Sequence, residues 1–529
     1  MTTLVPRKPY TNEELDKLYP ARVELQLVQI LLRHGERSPV SPRFQNAGLA
    51  PFWPYCRAAN RFSSVIMANT EGTEWDKISW RRRLETFGSD DGPVIASGPG
   101  GELDAVCNLG ELTDPGRATT LSLGQRIRHL YVDQLNFMPK LISDADMIYI
   151  RATPIPRALE SVQQVFTGMY PLTARTASFP PPTIITRTPA DETLFPNDGN
   201  CRRFSQLSRA FAERAADRWN ETDEMDYVNK LISKWMPEYS KKVAVDSHPR
   251  LSGIMDTVNS TLAHSTPTRL PSEFYDTKLR EIIDRVGTEE WYAGYKESTE
   301  YRALGIGGLL GDVVSRMIGS VRRNGNDGLV EVGGKDGQLG KGRGGETNLR
   351  MALSGCHDTT LAAVLASLGT FEGENGKWPP YTSHIAIELF RSKEWSRPRI
   401  VEGRTSLGAE QRTIEKGFEQ RSWFNKLFAF GKGTAPPVGI ERKRLSSYTT
   451  KEKDELDGFY VRLRYNDRPV VVPGCKPAGK HLDGDESFCT LAAFKSIVDK
   501  FTPDNWKLSC QSNLDKPSFP TKEEPAGYE

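Results

Sequence analysis

The sequence has no long apolar run. Even the stretch Leu27–Leu32 is broken by Gln29, far short of the ~20 residues that cross a bilayer, so no transmembrane segment is expected. It has no excess of either charge. Seventy Lys and Arg stand against 68 Asp and Glu, a net charge of +2, which gives no reason to expect nucleic acid or an anionic membrane as the main partner. Cysteine is sparse: seven residues, an odd total, with no CxxC. That suits a reducing compartment, although Cys475 and Cys489 are near enough in sequence to bridge if oxidised. The first twenty residues hold three prolines and the acids Glu13, Glu14 and Asp16. They lack the apolar core of a secretion signal and the acid-poor composition of a transit peptide. The expected location is cytoplasmic, with mitochondrial as the alternative.

Metal and nucleotide signatures are missing too. No GxxxxGK[ST] loop occurs, because Lys341 and Lys432 are each followed by glycine. No HExxH or zinc-type Cys/His spacing occurs either, so neither a metal nor a cofactor is expected. With 37% hydrophobic and 26% charged residues, the chain has a globular composition. Its 529 residues leave room for two to four structural units.

Three segments share one local grammar: an apolar run, a sharp polar turn, then a helical pattern. They are Val23–Leu32 followed by RHGERSP, Asp146–Ile150 followed by RATPIPRALES, and Leu349–Gly355 followed by CHDTTLAAVL. Runs apolar on both faces, each leading into a helix, predict buried parallel strands of an α/β sheet. Ligands of such sheets bind beyond the carboxyl ends of the strands. All three segments place their His, Arg and Asp residues at that end.

In the first turn, His34 stands between Arg33 and Arg37. Two guanidiniums there would hold a dianion by paired hydrogen bonds and keep the imidazole neutral. The plainer alternative is a buried histidine with surface arginines. In the third, His357 precedes Asp358, a phosphate ligand beside a general acid, or else an aspartate that caps the helix. In the second, Arg151 or Arg157 could complete an anion clamp, or both could lie on a solvated helix face.

Together these residues resemble the histidine acid phosphatases, the branch of the histidine phosphatase superfamily marked by RHGxRxP and a later HD pair. Arg33 to Pro39 and His357-Asp358 fit both motifs, and Arg157 aligns with the additional phosphate-binding arginine of the family. Supporting stretches are GELTDPGRATTLSLGQRIRHLY (Gly110–Tyr131), LFPNDGNC (Leu194–Cys201), WPPYTSHIAIEL (Trp378–Leu389) and YVRLRYNDRPVVVPGC (Tyr460–Cys475). GELT, the IRAT run and FPN are most similar to lysophosphatidic acid phosphatases. The resemblance implies a metal-independent phosphomonoesterase. His34 would be the nucleophile that forms a phosphohistidine and Asp358 the general acid. Arg33, Arg37, Arg157 and His357 would bind phosphate. Lysophosphatidic acid is the candidate substrate. The alternatives are an inositol phosphate, as for the related phytases, and an inactive phosphate- or lipid-binding protein. His129, His248, His264, His384 and His481 are read as structural.

The implied fold is a phosphoglycerate mutase-like α/β core sheet with flanking helices and an inserted, mostly α-helical cap domain. Residues 1–20 read as an N-terminal tail, 21–171 and 349–510 as a discontinuous core, and 172–320 as the cap. Residues 324–346 form a glycine-rich loop, 391–456 a charged insertion and 511–529 a polar, disordered tail. Within the insertion, the aromatic and basic stretch Arg421–Gly433 is read as a satellite helix, or alternatively as an element that approaches lipid.

Overall fold

Strand β1 (Val23–Arg33) is apolar on both faces, and both faces are used. Leu27 and Leu31 join one core cluster, whereas Val28, Ile30 and Leu32 join another on the opposite side. That is the two-residue period of a strand sandwiched between layers. The computed structural model describes residues 2–145, 147–322, 349–394 and 442–529. β2 (Ile148–Ala152) and β3 (Met351–Cys356) are buried at every position. β1 pairs parallel with β3, Val28 opposite Met351, and β3 pairs parallel with β2, Ile148 opposite the same methionine. The three strands expected from the sequence are therefore adjacent, parallel and in register at their carboxyl ends.

The rest of the sheet is antiparallel. β4 (His384–Ser392) lies on the other edge of β1, followed by β5 (Phe459–Tyr465). β6 (Arg468–Val470), β7 (His481–Leu482) and β8 (Asp485–Thr490) complete an order of β7-β8-β5-β4-β1-β3-β2, with β6 on β5. Helices Asp114–Arg128 and Pro156–Met169 cover one face through Leu123, Ile127, Val162 and Val165. Helices Gly308–Arg322, Asp358–Ser367 and Leu491–Asp499 cover the other through Val313, Met317, Leu361, Leu365 and Phe494. The mixed α/β core with flanking helices is the fold class the sequence predicts.

Several details differ from the sequence reading. Helix Gly308–Arg322, which the sequence reading places in the cap, packs in the cluster that holds Leu27 and Leu31 of β1. It ends Thr299–Arg322, the one described helical segment long and apolar enough to cross a bilayer, and that segment is buried inside the protein. A separate apolar cluster joins helices Asp223–Ile232, Leu251–Leu262 and Thr277–Glu297, from the segment read as a cap, to Phe44, Leu49 and Trp53 from the segment after β1.

The segment 511–529 is packed, not disordered. Arg203 donates to the carbonyls of Lys516 and Pro517 at 2.9 and 2.8 Å, and Phe519 meets Phe211 edge to face at 4.9 Å. Gly474 N–H donates to the Gly527 carbonyl at 2.7 Å. Its polar composition hid this, because the segment contributes backbone carbonyls to buried partners more than apolar side chains.

Six of the seven cysteines are paired, although a reducing compartment was expected and only the Cys475–Cys489 bridge was left open by the sequence. Cys56 pairs with Cys107, Cys201 with Cys510 and Cys475 with Cys489, leaving buried Cys356 free. Two of these bridges join residues 51 and 309 positions apart, so spacing gave no sign of them. Two exposed hairpins, Phe62–Met67 with Trp75–Trp80 and Glu85–Phe87 with Pro93–Ile95, also escaped the sequence reading. The glycine-rich loop 324–346 lies outside the described residues, as does the stretch 395–441 of the charged insertion, Arg421–Gly433 included.

Candidate active site

His34 follows directly on β1, and its backbone N–H donates to the Cys356 carbonyl at 3.1 Å. The RHGERSP and CHD segments thus leave the sheet side by side. The chain can turn there because Gly35 has no side chain: a Cβ on it would lie 2.3 Å from the Gly116 carbonyl oxygen. That close approach seats the loop on helix Asp114–Arg128. Gly35 N–H also donates to Ser161 Oγ at 3.1 Å, whose hydroxyl donates to the Arg157 carbonyl at 2.7 Å. One hydrogen-bond chain therefore ties the histidine loop to the helix that carries Arg157.

All six sequence-predicted site residues meet at this edge. The rings of His34 and His357 lie 5.5 Å apart. Arg33 Nη2 lies 2.6 Å from Asp358 Oδ2. The guanidiniums of Arg33 and Arg37 lie over the Tyr381 ring at 4.1 and 5.9 Å. Among the described residues the Arg157 guanidinium makes only a long 3.5 Å contact to the Gly110 carbonyl. Among the described residues it has no ion pair. Arg151, the other candidate, is buried against Glu192 and Thr193, away from this group.

The electrostatics follow from burial and this crowd of cations. Burial, then the charges of Arg157, Arg33 and Arg37, hold His34 well below the usual imidazole range. Burial and Arg157 likewise lower His357 to about 3. Burial pushes the Asp358 carboxyl up, yet Arg33, the Trp378 hydrogen bond and Arg37 outweigh it and hold the group at about 2. Burial and Arg37 lower Arg157 to about 10. His34 Nδ1 lies 2.8 Å from the Gly35 carbonyl oxygen. A carbonyl only accepts, so Nδ1 carries the hydrogen and the lone pair of Nε2 stays free.

The pattern of the histidine phosphatase superfamily, branch 2, matches residues 24–403 of this chain. The chain belongs to that superfamily. This histidine phosphatase is 34% identical to a probable acid phosphatase of Schizosaccharomyces pombe over 493 residues, 93% of this chain and 95% of that protein. It is 23% identical to lysophosphatidic acid phosphatase type 6 of Homo sapiens over 390 residues, 70% of this chain and 76% of that protein. Its fold resembles that of Hafnia alvei phytase in complex with tartrate, with a TM-score of 0.51 at 12% identity over 93% of this chain and 99% of that one. It is an enzyme of the phosphomonoester hydrolase class.

Several residues around the histidine phosphatase centre escaped individual notice in the sequence. Trp378 donates its indole N–H to Asp358 Oδ2 at 3.0 Å, and Tyr381 lies beneath two arginines. Both belong to the WPPY stretch, where aromatic residues beside prolines were the available signal. Thr153 Oγ1 lies 3.1 Å from His357 Nε2, and Phe195 meets the same ring at 6.1 Å. Asp256 had no signal at all, since it comes from the cap. A cleft of about 630 Å³ opens beside Arg33 and Trp378. Its wall carries Arg280, Arg285 and Lys377 but also Glu281, Asp284 and Glu374.

Proposed function

We propose that this histidine phosphatase hydrolyses phosphate monoesters without a metal, through a phosphohistidine on His34. The observation that carries the reading is Arg157, a half-buried guanidinium whose Nε is buried without a partner and which has no carboxylate ion pair among the described residues, next to an imidazole held neutral. A buried charge needs a counter-charge, and a phosphoryl group bound there would supply it. Arg33, Arg37 and His357 then share the remaining phosphoryl oxygens. Phosphoryl transfer depends on such positioning and charge stabilisation.

In the first step, the lone pair of His34 Nε2 forms a bond to phosphorus as the ester P–O bond breaks. The leaving oxygen takes the proton of Asp358. In the second step, water attacks phosphorus, the N–P bond breaks, and the water's proton returns to Asp358. Asp358 is ionised and paired with Arg33 before substrate arrives. A bound phosphate competes for Arg33 and places negative charge beside the carboxylate, raising its proton affinity.

Lysophosphatidic acid is the substrate we favour, on the likeness to the human lysophosphatidic acid phosphatase and on the apolar Met255, Val258 and Ile283 in the cleft wall. The mixed charge of that wall counts against an inositol ester with many phosphates. For location, three disulfides favour an oxidising compartment over the cytoplasm. The deciding assay is hydrolysis of p-nitrophenyl phosphate at pH 5 by the wild type and by His34→Ala. Equal rates refute the nucleophile, and inactivity of both favours a binding protein. Comparing lysophosphatidic acid with inositol hexakisphosphate then tests the substrate.

A further inference from the structure

Asp256 belongs to the cap, on helix Leu251–Leu262, yet its carboxylate reaches the arginine cluster. Its Oδ1 lies 2.5 Å from Arg37 Nη2, and its Oδ2 lies 3.6 Å from Arg43 Nη1. Its charge also acts on Arg157. Oδ2 is buried and has no hydrogen-bond donor among the described residues, since 3.6 Å to Arg43 is too long for one. Buried acceptors normally have donors.

A carboxylate beside a phosphate site has the wrong sign for holding a dianion. Its place there makes sense if it faces a part of the substrate other than the phosphoryl oxygens. A hydroxyl is the group that donates to a carboxylate without adding charge. When phosphate takes up Arg37, Arg43 remains as the counter-charge beside Asp256.

We infer that Asp256 is a specificity-determining residue that accepts a hydrogen bond from a hydroxyl of the substrate alcohol close to the ester, and disfavours esters with an anionic group at that position. The inference rests on the phosphatase reading above. It narrows the substrate class to phosphate monoesters of hydroxylated alcohols, among which glycerol-type esters are the simplest.

The test compares kcat/KM for glycerol 3-phosphate, propyl phosphate and phosphoglycolate, which present a hydroxyl, no polar group and a carboxylate beside the ester. The wild type is expected to favour glycerol 3-phosphate over propyl phosphate by about tenfold, and to act least on phosphoglycolate. Asp256→Ala brings the first ratio to within about twofold, because no acceptor remains. Asp256→Asn raises phosphoglycolate relative to propyl phosphate by about tenfold, because the repulsion is gone. Ratios measured on one preparation do not depend on the fraction folded. Unchanged ratios in both variants overturn the inference. So does a wild-type preference for glycerol 3-phosphate below about twofold, which needs no variant. Failure of the wild type to hydrolyse p-nitrophenyl phosphate refutes the phosphatase reading instead, so the two failures are distinguishable.

Discussion

Arg33 and Asp358 are paired at 2.6 Å, with the Trp378 indole N–H 3.0 Å from the same carboxylate oxygen. The group proposed as the acid is therefore ionised in the free protein, and becomes an acid only when phosphate engages Arg33. Proton donation matters most for a poor leaving group. Asp358→Asn is expected to lower the rate on alkyl phosphates by ~100-fold or more, and on p-nitrophenyl phosphate far less. Measured leaving-group dependence checks this, and equal losses on both would remove Asp358 from the acid role.

The pH profile follows from the same charges. Asp358 at about 2 holds no proton of its own at pH 5, so the proton arrives with the substrate, whose phosphate loses its second proton near pH ~6. kcat/KM is expected to fall as pH rises above about 6. At acid pH, His34 stays neutral because its protonation lies well below the ordinary range, so activity persists at pH 4–5. A profile from pH 3 to 9 tests both limbs. A flat profile up to pH 9 contradicts the scheme.

Glu388 on β4 is fully buried and accepts hydrogen bonds from Arg462 at 2.8 Å, Arg464 at 3.3 Å, Tyr19 at 2.7 Å and Tyr131 at 2.8 Å. Burial raises its carboxyl, but Arg462 and Arg464 bring it down to about 2, below the ordinary 4.5. Its stabilisation is thus present above pH 4.5 and lost as pH falls toward 2. Glu388→Gln removes the carboxylate facing Arg462 and leaves Arg464 with Asp467 at 3.8 Å, and is expected to cost about 3–5 kcal/mol. Thermal melts of the variant at pH 7 and of the wild type at pH 3 and pH 7 measure it.

Cys201 and Cys510 bridge the start of a helix to the C-terminal segment across 309 positions. Protein isolated without reductant is expected to show one reactive thiol only after unfolding, because burial pushes the Cys356 thiol up to about 12. Thiol counting with and without denaturant reads this directly. Replacing Cys201 and Cys510 by serine is expected to destabilise by about 2–5 kcal/mol. Seven titratable thiols in denaturant, in protein isolated without reductant, would refute the pairing.

Much of the site was legible because its residues are local to strand ends. Arg33, His34 and Arg37 lie within five positions, and His357 and Asp358 are neighbours. A strand that stops and turns displays such residues together wherever its partners lie. The strand–turn–helix pattern left Arg151 and Arg157 both open, and only the family resemblance singled out Arg157. Trp378 and Tyr381 were visible as a motif but not as contacts, since a proline-flanked aromatic does not announce what its ring or N–H will meet.

The sequence alone determined the three buried parallel strands, because residues apolar on both faces have only one stable setting in water, between two layers. Through them it determined which edge carries the histidines. Only the tertiary structure decided which carboxylates face the arginines, which cysteines pair and whether the C-terminal segment packs. Several of those contacts, Arg37 with Asp256 and Cys201 with Cys510 among them, join residues hundreds of positions apart. Local patterning does not encode such distances; they follow from how the cap and the last segment dock on the sheet.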